Sequence, residues 1–86
     1  MLSTLLIAIL VISAEGVPVA GAAVEVEGRV NYHEFYEEST TDSRGVFVVE
    51  VNPGVHMIAV LKRGYVAYYG SFDTKDGDVQ VVLQLP

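Results

Sequence analysis

The sequence predicts a small antiparallel β-sandwich, and three of its features carry that prediction. Apolar residues make up 51% of the chain, and many are Val and Ile, whose branched side chains suit a pleated sheet better than a helix. Turn signals rich in Gly, Pro and Asp recur at short intervals. Between them, apolar and polar residues alternate with the period of two that marks a strand with one buried face. The 86 residues have room for one hydrophobic core, so residues 1–86 are expected to form a single domain.

The first expected element is an apolar segment that has no charged side chain over residues 1–14. It is shorter than the roughly 20 residues that cross a bilayer as a helix. A signal peptide is an open alternative, because the stretch has a suitable length and ends in small residues, although no Lys or Arg precedes it. We favour a buried first strand over residues 5–13, followed by a turn at residues 15–16.

Both faces of this first strand are apolar, whereas a sandwich strand normally turns one polar face to water. The two alternating sets are Leu6, Ala8, Leu10 and Ile12, and Leu5, Ile7, Ile9 and Val11. One set is more apolar than a solvated face needs to be, so we expect an oligomer contact or a neighbouring domain to cover it. We assign this interface to Ile7, Ile9 and Val11.

The rest of the chain divides into short strands and turns. Strands are expected at residues 23–30, 46–51, 55–61, 65–72 and 79–84, and turns at residues 42–45, 52–54, 62–64 and 73–78. Alternation predicts that Phe47, Val49 and Val51 point inward, and that His56, Ile58 and Val60 do the same. Residues 31–41 are either one arm of a hairpin or an exposed connection.

Aromatic residues supply the candidate binding site. They cluster in residues 31–41 and in residues 65–72, and their faces can stack on sugar rings or anchor a protein interface. About half of them must fill the core of so small a domain. We select Tyr32, Phe35, Tyr36 and Tyr68 as the ligand-binding or partner-binding residues.

The composition argues against several other kinds of site. The chain has no cysteine, so it has neither disulfides nor thiolate metal sites. Its formal net charge of −6 has the wrong sign for a surface that follows nucleic-acid phosphates. No histidine or acidic group has the spacing of a known metal site, and we expect no metal and no cofactor. No nucleophile has a recognisable base partner, so we assign no catalytic residue.

Four motifs occur in an order that resembles one family. They are GVPVAGAAV at residues 16–24, TDSRGVF at 41–47, NPG at 52–54 and GY at 64–65. Each motif consists of turn-forming residues and residues at core positions. Together, the four motifs resemble carboxypeptidase regulatory-like domains over nearly the whole chain. The resemblance implies a seven-stranded antiparallel Greek-key sandwich of the transthyretin-like type, with its first strand in the apolar N-terminal segment. His56 departs from the family, which commonly has Tyr at that position.

The resemblance also implies a function. Family members are mostly non-enzymatic modules of larger proteins, so we expect a non-catalytic accessory module for protein–protein contact or assembly, with a protein partner or with itself. The resemblance favours a secreted or cell-surface location, whereas a cytoplasmic one fits if residues 1–14 are the first strand of a free protein. We expect no nucleic-acid partner and no membrane insertion of the folded domain.

Two alternatives to this function stay open. The first is a carbohydrate- or peptide-binding module that uses the aromatic residues of the 31–36 segment. The second and weaker one is a transthyretin-like hydrolase, because YYGS at residues 68–71 matches the YRGS motif of that enzyme group only in part.

Overall fold

The structure, a computed structural model, describes the backbone of residues 4–30 and 33–86, and the side chains of that range except those of residues 28–30 and 33–38. The strands are β1 (Leu5–Ser13), β2 (Ala23–Val30), β3 (His33–Thr40), β4 (Val46–Val51), β5 (Val55–Leu61), β6 (Tyr68–Asp73) and β7 (Val79–Leu83). A single 3₁₀ turn at Thr74–Asp76 connects β6 to β7. Within the described ranges, no helix has the length and hydropathy needed to cross a membrane.

The strands form two sheets, with the orders β4-β1-β7 and β3-β2-β5-β6. The four-stranded sheet is antiparallel throughout. In the three-stranded sheet, β1 pairs antiparallel with β4 and parallel with β7. The predicted all-β, two-sheet architecture is therefore confirmed, but the prediction that all strands are antiparallel is wrong. A parallel pair needs a crossover connection, and the passage of the chain through β5 and β6 of the other sheet provides one.

Side chains from both sheets fill one core between them. The buried apolar residues are Ile7, Ile9, Val11, Val19, Ala22, Val24, Val26, Phe47, Val49, Val51, Ile58, Val60, Phe72, Val81 and Leu83. The inward sets predicted for residues 46–51 and 55–61 are confirmed, and they include the buried His56. In β4 the exposed Glu50 identifies the solvent face, and the alternation then gives the buried one.

The apolar N-terminal segment is β1, which confirms the strand predicted over residues 5–13. The assignment of Ile7, Ile9 and Val11 to an interface is wrong, because all three are buried inside the domain. The other face of this sheet carries Glu50 and Gln80, which must reach water. Their positions turn the opposite set of β1 side chains inward, and no feature within β1 itself determines that choice.

A tight turn joins β3 to β4, as predicted for residues 42–45. The Gly45 N–H donates to the Asp42 carbonyl oxygen at 2.9 Å. The Asp42 Oδ1 accepts the N–H groups of Val46 (3.0 Å) and Arg44 (2.8 Å). These two bonds favour the charged carboxylate, so they lower the pKa of Asp42 from its ordinary value.

Thr41, beside this turn, fastens the connection between β1 and β2 to the rest of the domain. Its buried hydroxyl donates to the Val19 carbonyl oxygen at 2.7 Å and accepts the Ala22 N–H at 3.0 Å. The backbone of Thr41 also exchanges hydrogen bonds with Gly21 and Ala22. These bonds give partners to backbone groups of residues 19–22 that the core would otherwise leave unpaired.

The β2–β3 hairpin extends past the rest of its sheet. Its register is unbroken from the Ala23–Thr40 pair to the Val30–His33 pair. The pairing of β2 with β5 stops earlier, at Glu27 and Met57. Of the two structures considered for residues 31–41, the hairpin arm is therefore the one that the backbone of residues 33–40 adopts.

Candidate functional site

The aromatic side chains predicted to bind a ligand from residues 31–36 lie outside the described part of the molecule. Tyr32 lies outside the described residues. The backbone of Phe35 and Tyr36 belongs to β3, where these residues face Gly28 and Glu27 in register, but their side chains lie outside the described set. A binding role for these three residues therefore stays a prediction.

The fourth selected aromatic residue, Tyr68, is half-buried and packs against the core. A methyl group placed on Gly70 would lie 2.7 Å from the Tyr68 hydroxyl oxygen, so the tyrosine ring fills the space that this glycine leaves open. Its neighbour Tyr69 points the other way and is 73% exposed. Tyr69 is the more accessible aromatic residue of β6, and the selection from sequence missed it. Tyr68 shares its strand parity with the buried Phe72, and that signal could have separated the two tyrosines.

The side of β1 that was not assigned to an interface is part of an apolar surface on the three-stranded sheet. We call this surface the β1 outer face; its residues are Leu6, Ala8, Leu10, Ile12, Val46, Val48 and Val82. Leu6 is 70% exposed and Val48 is 52% exposed. The register places Val48 beside Ala8, Val46 beside Leu10, and Val82 beside Ile12. The face is therefore one continuous patch across all three strands.

Charged groups lie only at the margins of the β1 outer face. The strands Leu5–Ser13, Val46–Val51 and Val79–Leu83 contain no Lys or Arg. Glu50 lies beside Leu6 at one end of the face and accepts a hydrogen bond from the Thr4 hydroxyl at 2.6 Å. At the edge, the Asp78 Oδ1 accepts the Ala8 N–H at 2.9 Å, just before β7 begins to pair with β1. The centre of the face is uncharged, and beside its apolar residues it carries one exposed polar side chain, Gln80, next to Leu10.

Two buried polar residues lie at the turn between β4 and β5: Asn52 in the turn and His56 near the start of β5. His56 Nε2 lies 2.7 Å from the Asn52 carbonyl oxygen, and because a carbonyl only accepts, Nε2 carries the proton. The His56 ring packs against Phe72 with centroids 5.6 Å apart. These contacts close the turn, and they place His56 in the core. Among the described residues, no group of three or more His, Asp or Glu side chains could hold a metal ion.

Solved structures of other proteins share the fold of this chain, whereas comparisons of its sequence give no match. No family model matches the chain. No curated protein matches it either. A 3-chlorocatechol 1,2-dioxygenase from Rhodococcus opacus 1CP is similar over 100% of this chain and 61% of its own length, with a TM-score of 0.84 and 12% identity.

Two pilins share the same architecture. A streptococcal ancillary pilin is similar over 99% of this chain and 30% of its own, with a TM-score of 0.71 and 15% identity. BcpA, the major pilin subunit of Bacillus cereus, is similar over 95% of this chain and 28% of its own, with a TM-score of 0.67 and 18% identity. The chain spans less than two thirds of the dioxygenase and less than a third of either pilin. At such identities the likeness establishes a shared β-sandwich fold.

These structures correct the prediction that the domain belongs to a non-enzymatic class. The similar structures include catechol, chlorocatechol and hydroxyquinol 1,2-dioxygenases. The prediction was wrong because it rested on a resemblance made of turn motifs and core positions. Those residues specify a sandwich, and the same sandwich occurs within enzymes.

Proposed function

We propose that this chain is a protein-contact module that assembles through the β1 outer face, and that the first partner of this face is a second copy of the chain. The observation that carries the proposal is the continuous apolar patch on the three-stranded sheet, with Leu6 70% exposed at one end. Patches of this kind on a soluble domain mark interaction surfaces. The pilin subunits among the similar structures support a role in assembly.

The size of the face sets the expected strength of the contact. Three strands spaced about 4.8 Å apart, with nine residues in the longest, give a face of about 14 Å by 30 Å. Two such faces in contact cover about 800 Å² of projected area in total, which is below the 1,200–2,000 Å² of stable specific complexes. The proposal therefore predicts a weak, concentration-dependent dimer.

The position of Glu50 is compatible with self-association. Glu50 lies beside Leu6, about three residues or 10 Å from the middle of β1. In an antiparallel two-fold arrangement the two Glu50 carboxylates lie at opposite ends of the contact, about 20 Å apart. That separation exceeds the screening length of about 8 Å at physiological salt. The net charge of −6 per copy still opposes association at low salt, so added salt is expected to strengthen the dimer.

Sedimentation equilibrium over a wide range of protein concentration tests the proposal. We expect reversible dimerisation that strengthens with salt and that Val48→Lys weakens at least about tenfold, since this change places a charge in the apolar contact. The control is Val55→Lys, which adds the same charge at a valine that is also exposed but lies in the other sheet. A protein that stays monomeric at millimolar concentration, or equal effects of the two substitutions, would refute the proposal.

We also propose the finer classification of the fold as a transthyretin-like Greek-key sandwich of the carboxypeptidase regulatory-like kind. It is supported by the turn at residues 42–45, by the turn at 52–54 that joins the two sheets, and by the first strand at Leu5–Ser13. An experimental structure in which residues 5–13 do not form the first strand, or in which residues 52–54 do not join the two sheets, would remove this support.

A further inference from the structure

The outer surface of the four-stranded sheet, on the opposite side of the domain from the β1 outer face, contains a groove of about 190 Å³. We call it the Ala59 groove. It is lined by Glu25, Glu27, Met57, Ile58, Ala59, Tyr69 and Gly70. These residues come from β2, β5 and β6, which are neighbouring strands of one sheet. Rigid strands rather than loops therefore position every side chain that lines the groove.

The groove exists because a small residue separates two large ones. Ala59 of β5 is paired with Glu25 of β2 on one side and with Tyr69 of β6 on the other. Directly opposed residues on neighbouring strands lie about 5 Å apart, so Glu25 and Tyr69 are separated by about 10 Å. Only the methyl group of Ala59 lies between them. In the next row, Met57 and Glu27 are paired and form the end of the groove.

The wall opposite Tyr69 is acidic, with the carboxylates of Glu25 and Glu27 on it. Among the side chains that the structure describes, ion pairs join Arg44 to Asp42 and Lys75 to Asp73, and neither carboxylate of the groove takes part in one. The Cα partner of Glu25 on β3 is another acidic residue, Glu38. A ligand that brings a positive charge between Glu25 and Tyr69 would therefore gain Coulomb energy without displacing a described ion pair.

We propose that the Ala59 groove binds an arginine side chain of a partner polypeptide. A guanidinium is planar, so it can stack on the exposed Tyr69 ring, and its paired N–H groups match the two oxygens of the Glu25 carboxylate. The aliphatic part of the arginine side chain would lie along Ala59 and Met57. A lysine ammonium offers the charge without the planar stacking or the paired donors, and it is expected to bind less well.

Titration of the ¹⁵N-labelled protein with N-acetyl-arginine methylamide tests this proposal. We expect saturable shifts of the backbone amides around the groove, at Glu25, Met57, Ala59 and Tyr69. The matched control is the citrulline analogue, which keeps the shape but has no charge, and it should bind at least about fivefold more weakly. Equal binding of the two compounds would overturn the proposal. So would shifts caused by methyl glucoside but not by the arginine compound, since they would make the groove a sugar site.

Three substitutions distinguish binding of the arginine compound in the groove from its general attraction to an acidic protein. Ala59→Leu fills the groove without changing the charge and should abolish the shifts, while Glu25→Gln and Tyr69→Ala should each weaken binding at least about threefold. Unchanged dispersion of the remaining amide signals verifies folding in each case. Glu15→Gln is the control, because it removes the same charge from an exposed position outside the groove. If Glu15→Gln and Glu25→Gln weakened binding of the arginine compound equally, binding would depend only on net charge, and the proposed site would be contradicted.

Discussion

At the scale of single residues, Gly45 leaves the least room for a side chain among the glycines that the structure describes. Its φ of 77° lies in the left-handed region, and an added Cβ would lie 2.5 Å from the Val11 carbonyl oxygen. That oxygen also accepts the Val19 N–H, and the Gly45 carbonyl accepts the Val11 N–H. A side chain at this position would therefore push apart three segments that meet here: β1 at Val11, the chain at Val19 and the turn at Gly45.

We predict that Gly45→Ala lowers the free energy of unfolding by about 3 kcal/mol or more, because conformational strain adds to the steric clash. Gly16→Ala is the control. Gly16 has a similar φ of 82°, but no atom lies within 4 Å of an added Cβ, so the cost should be about 1 kcal/mol. Urea unfolding measures both values. Equal losses for the two variants would show that the clash with Val11 is absent.

Asp42 gives the stability of the domain a defined dependence on pH. Its hydrogen bonds to the Val46 and Arg44 N–H groups lower its pKa in the folded state. A carboxyl with a lowered folded pKa contributes stability above its unfolded pKa of about 3.9, and loses that contribution as pH falls through the folded value. We predict that wild type is more stable than Asp42→Asn at pH 6 and that the difference disappears in strong acid. Urea unfolding at a series of pH values measures it, and a difference that stays constant from pH 6 to pH 2 would contradict the prediction.

Residue chemistry also decides how much of the candidate site could be predicted. The sequence placed His56 in the core, because its neighbours in the alternation are Ile58 and Val60. It did not show that Tyr68 packs against the core and that Tyr69 is exposed. Tyr68 lies on the same face of the strand as the buried Phe72, and this alternation could have shown the difference. The open space beside Ala59 could not be predicted from the sequence, since it depends on which residues of β2 and β6 lie opposite Ala59.

At the scale of secondary structure elements, β1 is a strand whose buried face the sequence pattern does not identify. An alternating strand reveals its buried face by its polar residues, but β1 is apolar on both sides, so its orientation depends on its neighbours. β4 and β7 supply that information through Glu50 and Gln80. The parallel pairing of β1 with β7 joins residues about 70 positions apart, and no local motif specifies such a contact.

The orientation of β1 can be tested with one substitution on each of its faces. Ile9 is fully buried, and Ile9→Ala should lower the free energy of unfolding by 2–5 kcal/mol through lost burial and the cavity left behind. Leu6→Ala, on the exposed face of the same strand, should change it by less than about 0.5 kcal/mol in the monomer. Denaturant unfolding at low protein concentration measures both. The reverse order of the two effects would mean that the strand is turned over.

At the scale of the whole molecule, the two sheets present different surfaces to solvent. The outer face of the three-stranded sheet is mostly apolar, with Glu50 and Gln80 as its polar residues and no basic residue on its strands. The four-stranded sheet instead has a groove between a tyrosine and two glutamates. Because the two surfaces lie on opposite sides of one core, a contact on either leaves the other accessible. Under the two proposals, the domain would connect a copy of itself to a second, arginine-bearing partner.

The central claim is that the β1 outer face is a self-contact surface, and amide chemical shifts followed during dilution test it most directly. We predict concentration-dependent shifts at Leu6, Leu10, Val48 and Val82, with the amides around Ala59 unchanged. Higher salt should enlarge the shifts at a given concentration, because it screens the repulsion between two copies of charge −6. Shifts that do not depend on concentration, or that fall on the four-stranded sheet instead, would contradict the account.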